Sequence, residues 1–158
     1  MQYEFLKRQK DDFWRDLTSL GSMWFYSILM ILFLILRNYV VFNKLLIGFV
    51  LIYLITIIIR ATHFKNRPRK YSYANFIEKL DASAFPSLHA TRSGFLFMIL
   101  VKYFNNLFVS IILFVLLIVV SYSRIYLKKH DIRDVSVGVG LGVVVYVIVN
   151  WLHSTIFV

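Results

Sequence analysis

Three short stretches of the 158-residue chain carry the residues that could act on an anion. The first runs from Arg60 to Pro68, with Arg67 directly before the proline and Arg69 and Lys70 after it. The second is Phe85-Pro86-Ser87-Leu88-His89-Ala90. The third is Ser123-Arg124, five residues, His130, three residues, Asp134. His130 and Asp134 stand at i and i+4, so on a helix their side chains share a face and can meet. An aspartate that takes the proton of one imidazole nitrogen fixes the tautomer and leaves the other nitrogen as base or nucleophile. An ordinary His–Asp pair at a wet helix start would have the same spacing, and the pair alone leaves both readings open.

Pro86 suits the first position of a helix, which would let the backbone N–H groups of Ser87 and Leu88 point outward. Such N–H groups, with the helix dipole behind them, make a phosphate site. His89, one residue on, could then give a proton to a leaving oxygen. A simple helix cap beside an interfacial histidine is the competing account. Arg60, Arg67 and Arg124 are planar, permanently charged donors suited to phosphate oxygens. A single arginine at a membrane boundary often only snorkels, so each is weak evidence alone. Phosphoryl transfer depends mainly on electrostatic clamping and positioning, which three arginines converging on two histidines would supply.

Composition limits what such a site can belong to. Hydrophobic residues make up 59% of the chain and aromatics 18%, against about 45–50% apolar for a soluble domain. Lipid is therefore the expected solvent. The formal charge of +10 would suit nucleic acid, an anionic membrane surface or a phosphorylated ligand. Long apolar runs argue against a nucleic-acid partner and leave a phosphate-bearing lipid or a headgroup region. Absence of cysteine excludes disulfides, thiolate metal sites and cysteine nucleophiles. No compact carboxylate cluster suited to magnesium is visible, so no metal site is expected. The charged start lacks a small-residue cleavage site and does not read as a signal peptide.

The elements that must position these residues follow from hydropathy. Residues 1–20 mix charge with Tyr3, Phe5, Phe13, Trp14 and Leu17, which reads as an amphipathic interfacial arm, with a disordered tail as the alternative. Residues 20–36, 39–59, 107–126 and 135–158 read as spanning helices. Residues 90–104 are weaker, because Arg92 and Lys102 trim the charge-free core to 93–101. Counting them as a span places residues 60–89 and 124–134 on one face. The expected architecture is thus an all-α polytopic bundle of about five spans plus the arm, one membrane-embedded domain over residues 1–158. On that topology 15 of the 18 basic residues share the face of the three stretches, leaving Arg37, Lys44 and Lys102 opposite. Gly138, Gly140 and Gly142 lack the strand and full pattern of a nucleotide loop, and the four-residue spacing of Gly138 and Gly142 predicts close helix packing.

Order, spacing and placement of the three stretches together resemble the type 2 phosphatidic acid phosphatase (PAP2) family. Its signature is a lysine, six residues and Arg-Pro; then Pro-Ser-Gly-His; then Ser-Arg, five residues, His, three residues and Asp. Here Arg60 replaces the lysine and Leu88 the glycine, and the match covers residues 60–142, roughly half the chain. The resemblance implies a PAP2/haloperoxidase-like core, whose usual six spans would put the arm where a first helix has been lost. It implies that His130 attacks phosphorus and Asp134 orients it, while His89 protonates the leaving oxygen and then activates water. Arg60, Arg67, Ser87, the Leu88 N–H and Arg124 would hold phosphate oxygens, with no metal and no cofactor.

Family members act on phosphatidic acid, phosphatidylglycerol phosphate, lysolipid phosphates or polyprenyl diphosphates. A chain this short has no evident headgroup-recognition domain, which favours a reader of the phosphate end alone. Phosphoryl transfer to another alcohol, or non-enzymatic binding of anionic lipid, are the alternatives. The positive-inside rule puts the site in the cytoplasm of a multi-pass cell-membrane protein, whereas family habit puts it outside, and the sequence leaves orientation and oligomeric state open. Outside the motifs, His63 reads as a loop residue, His153 as interfacial beside Trp151, and Lys65 and Lys70 as a solvated charge run able to steer headgroups.

Overall fold

The computed structural model describes residues 2–68 and 73–156, excepting the side chains of residues 2, 3 and 156. Arg69, Lys70, Val158 and the side chain of Tyr3, all singled out above, therefore lie outside the described residues. Among the described residues seven α-helices follow in order: α1 Gln2–Thr18, α2 Met23–Ile35, α3 Tyr39–Thr62, α4 Phe76–Ala82, α5 Leu88–Phe104, α6 Leu107–Tyr126 and α7 Ile132–Ile156. A 3-10 turn, Ser19–Gly21, joins the first two.

Helix starts follow local capping chemistry. Ser22, Asn38, Asn75 and Asn106 each accept a hydrogen bond from a backbone N–H three residues on, satisfying donors that a helix start leaves orphaned. Asn105 ends α5 at φ 45, a left-handed conformation that asparagine tolerates, so α5 and α6 are joined by an Asn-Asn turn. The short α4 was not expected. Its sequence signal was the pair Asn75 and Glu78: the Asn75 side chain accepts from the Glu78 N–H, and the Glu78 carboxylate accepts from the Ala74 N–H.

Three helices, residues 39–62, 107–126 and 132–155, are long and apolar enough to cross a membrane, and α1 with α2, bent by 43°, could together make a fourth. The first span expected, residues 20–36, is shorter than read, because residues 19–21 form the 3-10 turn. The arm is helical and lies against α6, with Trp14 packed on Tyr122 and Tyr126. Central α5 packs against α3, α6 and α7. That shielding explains its poor hydropathy: eight of its residues, Arg92 among them, are buried.

The bundle is apolar outside and partly polar within. Ile28, Ile35, Leu107, Phe108, Ile118 and Val147 are exposed, whereas Thr56, Arg60, Ser87, Thr91, Arg92, Ser123, Arg124, His130 and Asp134 are buried. Exposed apolar surface on this scale fits a lipid solvent. Gly138 and Gly142 make the central packing possible. A methyl group on Gly142 would lie 2.3 Å from the Thr91 carbonyl oxygen, and one on Gly138 would lie 2.7 Å from that of Ser87. Their role is helix packing, as their spacing predicts.

Candidate active site

Buried arginines at helix ends give the bundle a polar pocket. Arg60 stands at the end of α3, Leu88 and His89 at the start of α5, Arg124 near the end of α6, and His130 in the turn between α6 and α7. These residues and Arg67 line one cavity of about 280 Å³. Tyr53, Asp81 and Arg92 line it too, and none of these was anticipated. Ser87 and Asp134 are fully buried behind the wall rather than on it.

The geometry of His130 differs from the expected dyad. It precedes α7 instead of sharing a helix with Asp134. Its Nδ1 lies 2.7 Å from the carbonyl oxygen of Ala84 and 4.0 Å from Oδ2 of Asp134. A carbonyl only accepts, so Nδ1 carries the proton and donates it, and the lone pair resides on Nε2. Burial and then the charge of Arg124 push the His130 pKa down to about 3, with Arg67 and Arg60 acting in the same direction and the Ala84 hydrogen bond opposing them. At neutral pH the ring is uncharged, with an unprotonated Nε2 beside the arginine cluster. That is the protonation state of a nucleophile.

The second stretch also departs in detail. Pro86 lies before the helix, and Ser87 is the N-cap, with Leu88 the first helical residue. The N–H of Ser87 donates to the Asp134 carbonyl at 3.1 Å and is not available to a phosphate. Its Oγ is buried without a hydrogen-bond partner. Leu88 keeps its place at the cavity.

Arg60 and Arg124 are held by neutral hydrogen-bond acceptors. Arg60 donates to the carbonyl oxygens of Leu80 at 3.0 Å and Pro86 at 3.1 Å. Arg67 donates to the Asp81 carbonyl. Arg124 donates to Thr18 Oγ1 at 3.0 Å, tying the N-terminal helix to the site. Carbonyls and hydroxyls orient the Arg60 and Arg124 guanidiniums without cancelling their charge, and with four arginines against Asp81 in its lining the cavity is suited to an anion.

Lys65 is not the solvated cation expected. Its Nζ lies 2.5 Å from Asp131 Oδ2 and 2.6 Å from Asp134 Oδ1. Burial works against its charge, yet the hydrogen bonds to both aspartates prevail and raise its pKa. The same hydrogen bond from Lys65 leads the causes that lower the pKa of Asp131. Asp134 further accepts from the Asp131 N–H at 3.0 Å. Lys65 therefore docks the segment before Arg67 onto the turn that carries His130. Lys65→Met should leave the buried Asp134 charge unpaired and cost on the order of 2–3 kcal/mol, less than a fully buried pair because the lysine is partly exposed. Thermal melts in detergent should show a Tm lower by about 5–10 °C, and Lys65→Arg should recover most of it.

His63 sits edge-on to Phe85 with ring centroids 5.8 Å apart, a loop-packing role as read. His153 lies near the far end of α7 and takes no part in the cavity. The described residues contain no group of three or more His, Cys, Asp or Glu placed to hold a metal ion.

An apolar-faced helical bundle around a buried, arginine-lined cavity with an uncharged histidine is an arrangement suited to holding a phosphate beside a nucleophile. The family model of the PAP2 superfamily matches residues 61–157, and the chain belongs to that superfamily. Among solved structures, the crystal structure of LpxE from Aquifex aeolicus shares the fold. It matches with TM-score 0.73 at 23% sequence identity, over 89% of this chain and 85% of that one. A comparison with curated proteins gives no match. Family and fold together support a lipid phosphatase, a hydrolase held in a membrane.

Proposed function

We propose that the protein is a multi-pass membrane phosphatase that hydrolyses the phosphate monoester or diphosphate of a lipid through a phosphohistidine. One observation carries this reading: His130 is held neutral, its Nδ1 proton given to Ala84, at a cavity also lined by Arg60, Arg67 and Arg124. In the first step Nε2 of His130 bonds to phosphorus, and the bond from phosphorus to the leaving oxygen breaks with its electron pair on that oxygen. His89 serves the leaving oxygen as donor and later assists the water that cleaves the phosphorus–nitrogen bond. Arg60, Arg67 and Arg124 hold the equatorial oxygens with the Leu88 N–H, and Ser87 and Asp134 support the wall behind them. Four guanidinium groups line the cavity, so no metal enters the proposal.

Family membership and the membrane-facing apolar surface favour a substrate with a hydrocarbon tail, such as a polyprenyl diphosphate, phosphatidic acid or phosphatidylglycerol phosphate. The test is release of inorganic phosphate from these three by the purified protein in detergent. Hydrolysis of at least one is expected. Transfer of the phosphoryl group to an added alcohol in place of water would indicate a phosphotransferase, and silence on all three would defeat the proposal.

A further inference from the structure

Arg92 lies outside the three sequence stretches, yet it is only 4% exposed and lines the cavity. Its Nε donates to the Gly21 carbonyl at 3.0 Å and one terminal nitrogen to the Tyr53 hydroxyl at 2.7 Å. The other terminal nitrogen lies 3.5 Å from Nδ1 of His89, one helical turn back on α5. None of these partners is an anion, so a buried cation faces the cavity with its charge uncancelled. Such a group is costly unless the ligand supplies the countercharge.

Its position within the cavity is informative. Arg124 and Arg67 act on both histidines. Arg92 is absent from the cations acting on His130 and, of the two histidines, touches only His89, the residue assigned to the leaving group. A guanidinium can only donate, so Nδ1 of His89 accepts and its proton sits on Nε2. An imidazolium would turn a second N–H toward the guanidinium, and the contact therefore holds His89 neutral. Neutral imidazole is a far weaker acid than imidazolium and gives a departing alkoxide correspondingly less help. It is adequate as a hydrogen-bond donor to a departing phosphate, whose own second pKa is only about 6.

We propose that Arg92 and Tyr53 form a subsite for the second phosphoryl group, so that lipid diphosphates are preferred over lipid phosphate monoesters. The inference rests on the phosphatase reading above and sharpens its substrate class. His130 Nε2 bonds to the terminal phosphorus, the bond to the bridging oxygen breaks, and its electron pair stays on the departing lipid monophosphate beside Arg92. Water then adds to phosphorus, the phosphorus–nitrogen bond returns its pair to Nε2, and dihydrogen phosphate leaves.

The experiment compares kcat/KM for farnesyl diphosphate and farnesyl monophosphate in detergent, using wild type, Arg92→Gln and Tyr53→Phe. Wild type should favour the diphosphate by about tenfold or more, and Arg92→Gln should shrink that ratio by about tenfold, the value of one charge-assisted contact. Tyr53→Phe should shrink it by a smaller factor. An unchanged ratio in folded Arg92→Gln, or a wild-type preference for the monoester, overturns the proposal. Should Arg92→Gln fail to fold, inhibition of wild type by the two inorganic anions decides: pyrophosphate, which mimics the diphosphate end of the substrate, should bind more tightly than phosphate, and equal inhibition overturns the proposal. Failure of wild type to release phosphate from either substrate is a separate result, which removes the phosphatase reading itself.

Discussion

His130→Ala should reduce phosphate release by about 10⁴-fold or more, the scale on which removing an enzyme nucleophile acts. His89 should not substitute, because its Nδ1 lies against Arg92 and the proposed mechanism assigns it to the leaving group. The change leaves the Ala84 carbonyl without its donor, at a cost of about 1–2 kcal/mol. The protein should therefore remain helical and monodisperse in detergent, and circular dichroism beside the phosphate assay separates lost chemistry from lost fold. Activity in that variant within tenfold of wild type would refute the nucleophile assignment.

The same residue gives a pH signature. Folded His130 takes up a proton near pH 3, whereas the unfolded chain does so near about 6.5. Between those values the unfolded state binds more protons, so the stability this group contributes is complete above pH 6.5 and declines as pH falls toward 3. Denaturation at pH 7 and pH 5 should show a larger acid-induced loss in wild type than in His130→Ala.

Arg124→Gln should lower kcat/KM by about 10³-fold, as expected for an arginine that stabilises charge on a transferring phosphoryl group. Arg124 is 8% exposed, and its Nη1 is already held by Thr18. The guanidinium is thus in place before substrate arrives, and little of its binding is lost to ordering. Arg124→Lys should recover less than about tenfold, since an ammonium cannot reproduce the planar fork. Arg124 is also the leading cation depressing His130, so its removal should move the acid limb of the pH–rate profile upward from near pH 3. A variant with an unaltered limb and near-normal kcat/KM would show that Arg124 does not face the reacting phosphate.

Some elements were legible at residue level. Helix α6 has the limits its hydropathy gives, because Asn106 caps its start and the apolar run continues to Tyr126. The cavity gathers Arg60, Arg67, Leu88, His89, Arg124 and His130, all readable from spacing at helix ends. Arg92 was read only as a charge that weakens a span. Its three-residue distance from His89 was the available signal, since i and i+3 share a helix face. Lys65 gave no such signal, because its partners Asp131 and Asp134 lie 66 and 69 residues away.

The residue types and their spacing were enough to place the residues that line the cavity at the ends of apolar helices, because periodicity and capping are local properties of the chain. Which atom meets which was decided by packing. The close approach of α5 and α7 at Gly138 and Gly142 brings the Ser87 N–H to the Asp134 carbonyl. The Ala84 carbonyl reaches His130, and Lys65 reaches Asp134, only through the fold. Hydrogen bonds and ion pairs act over a few ångströms, and only the folded bundle brings such distant parts of the chain within that range.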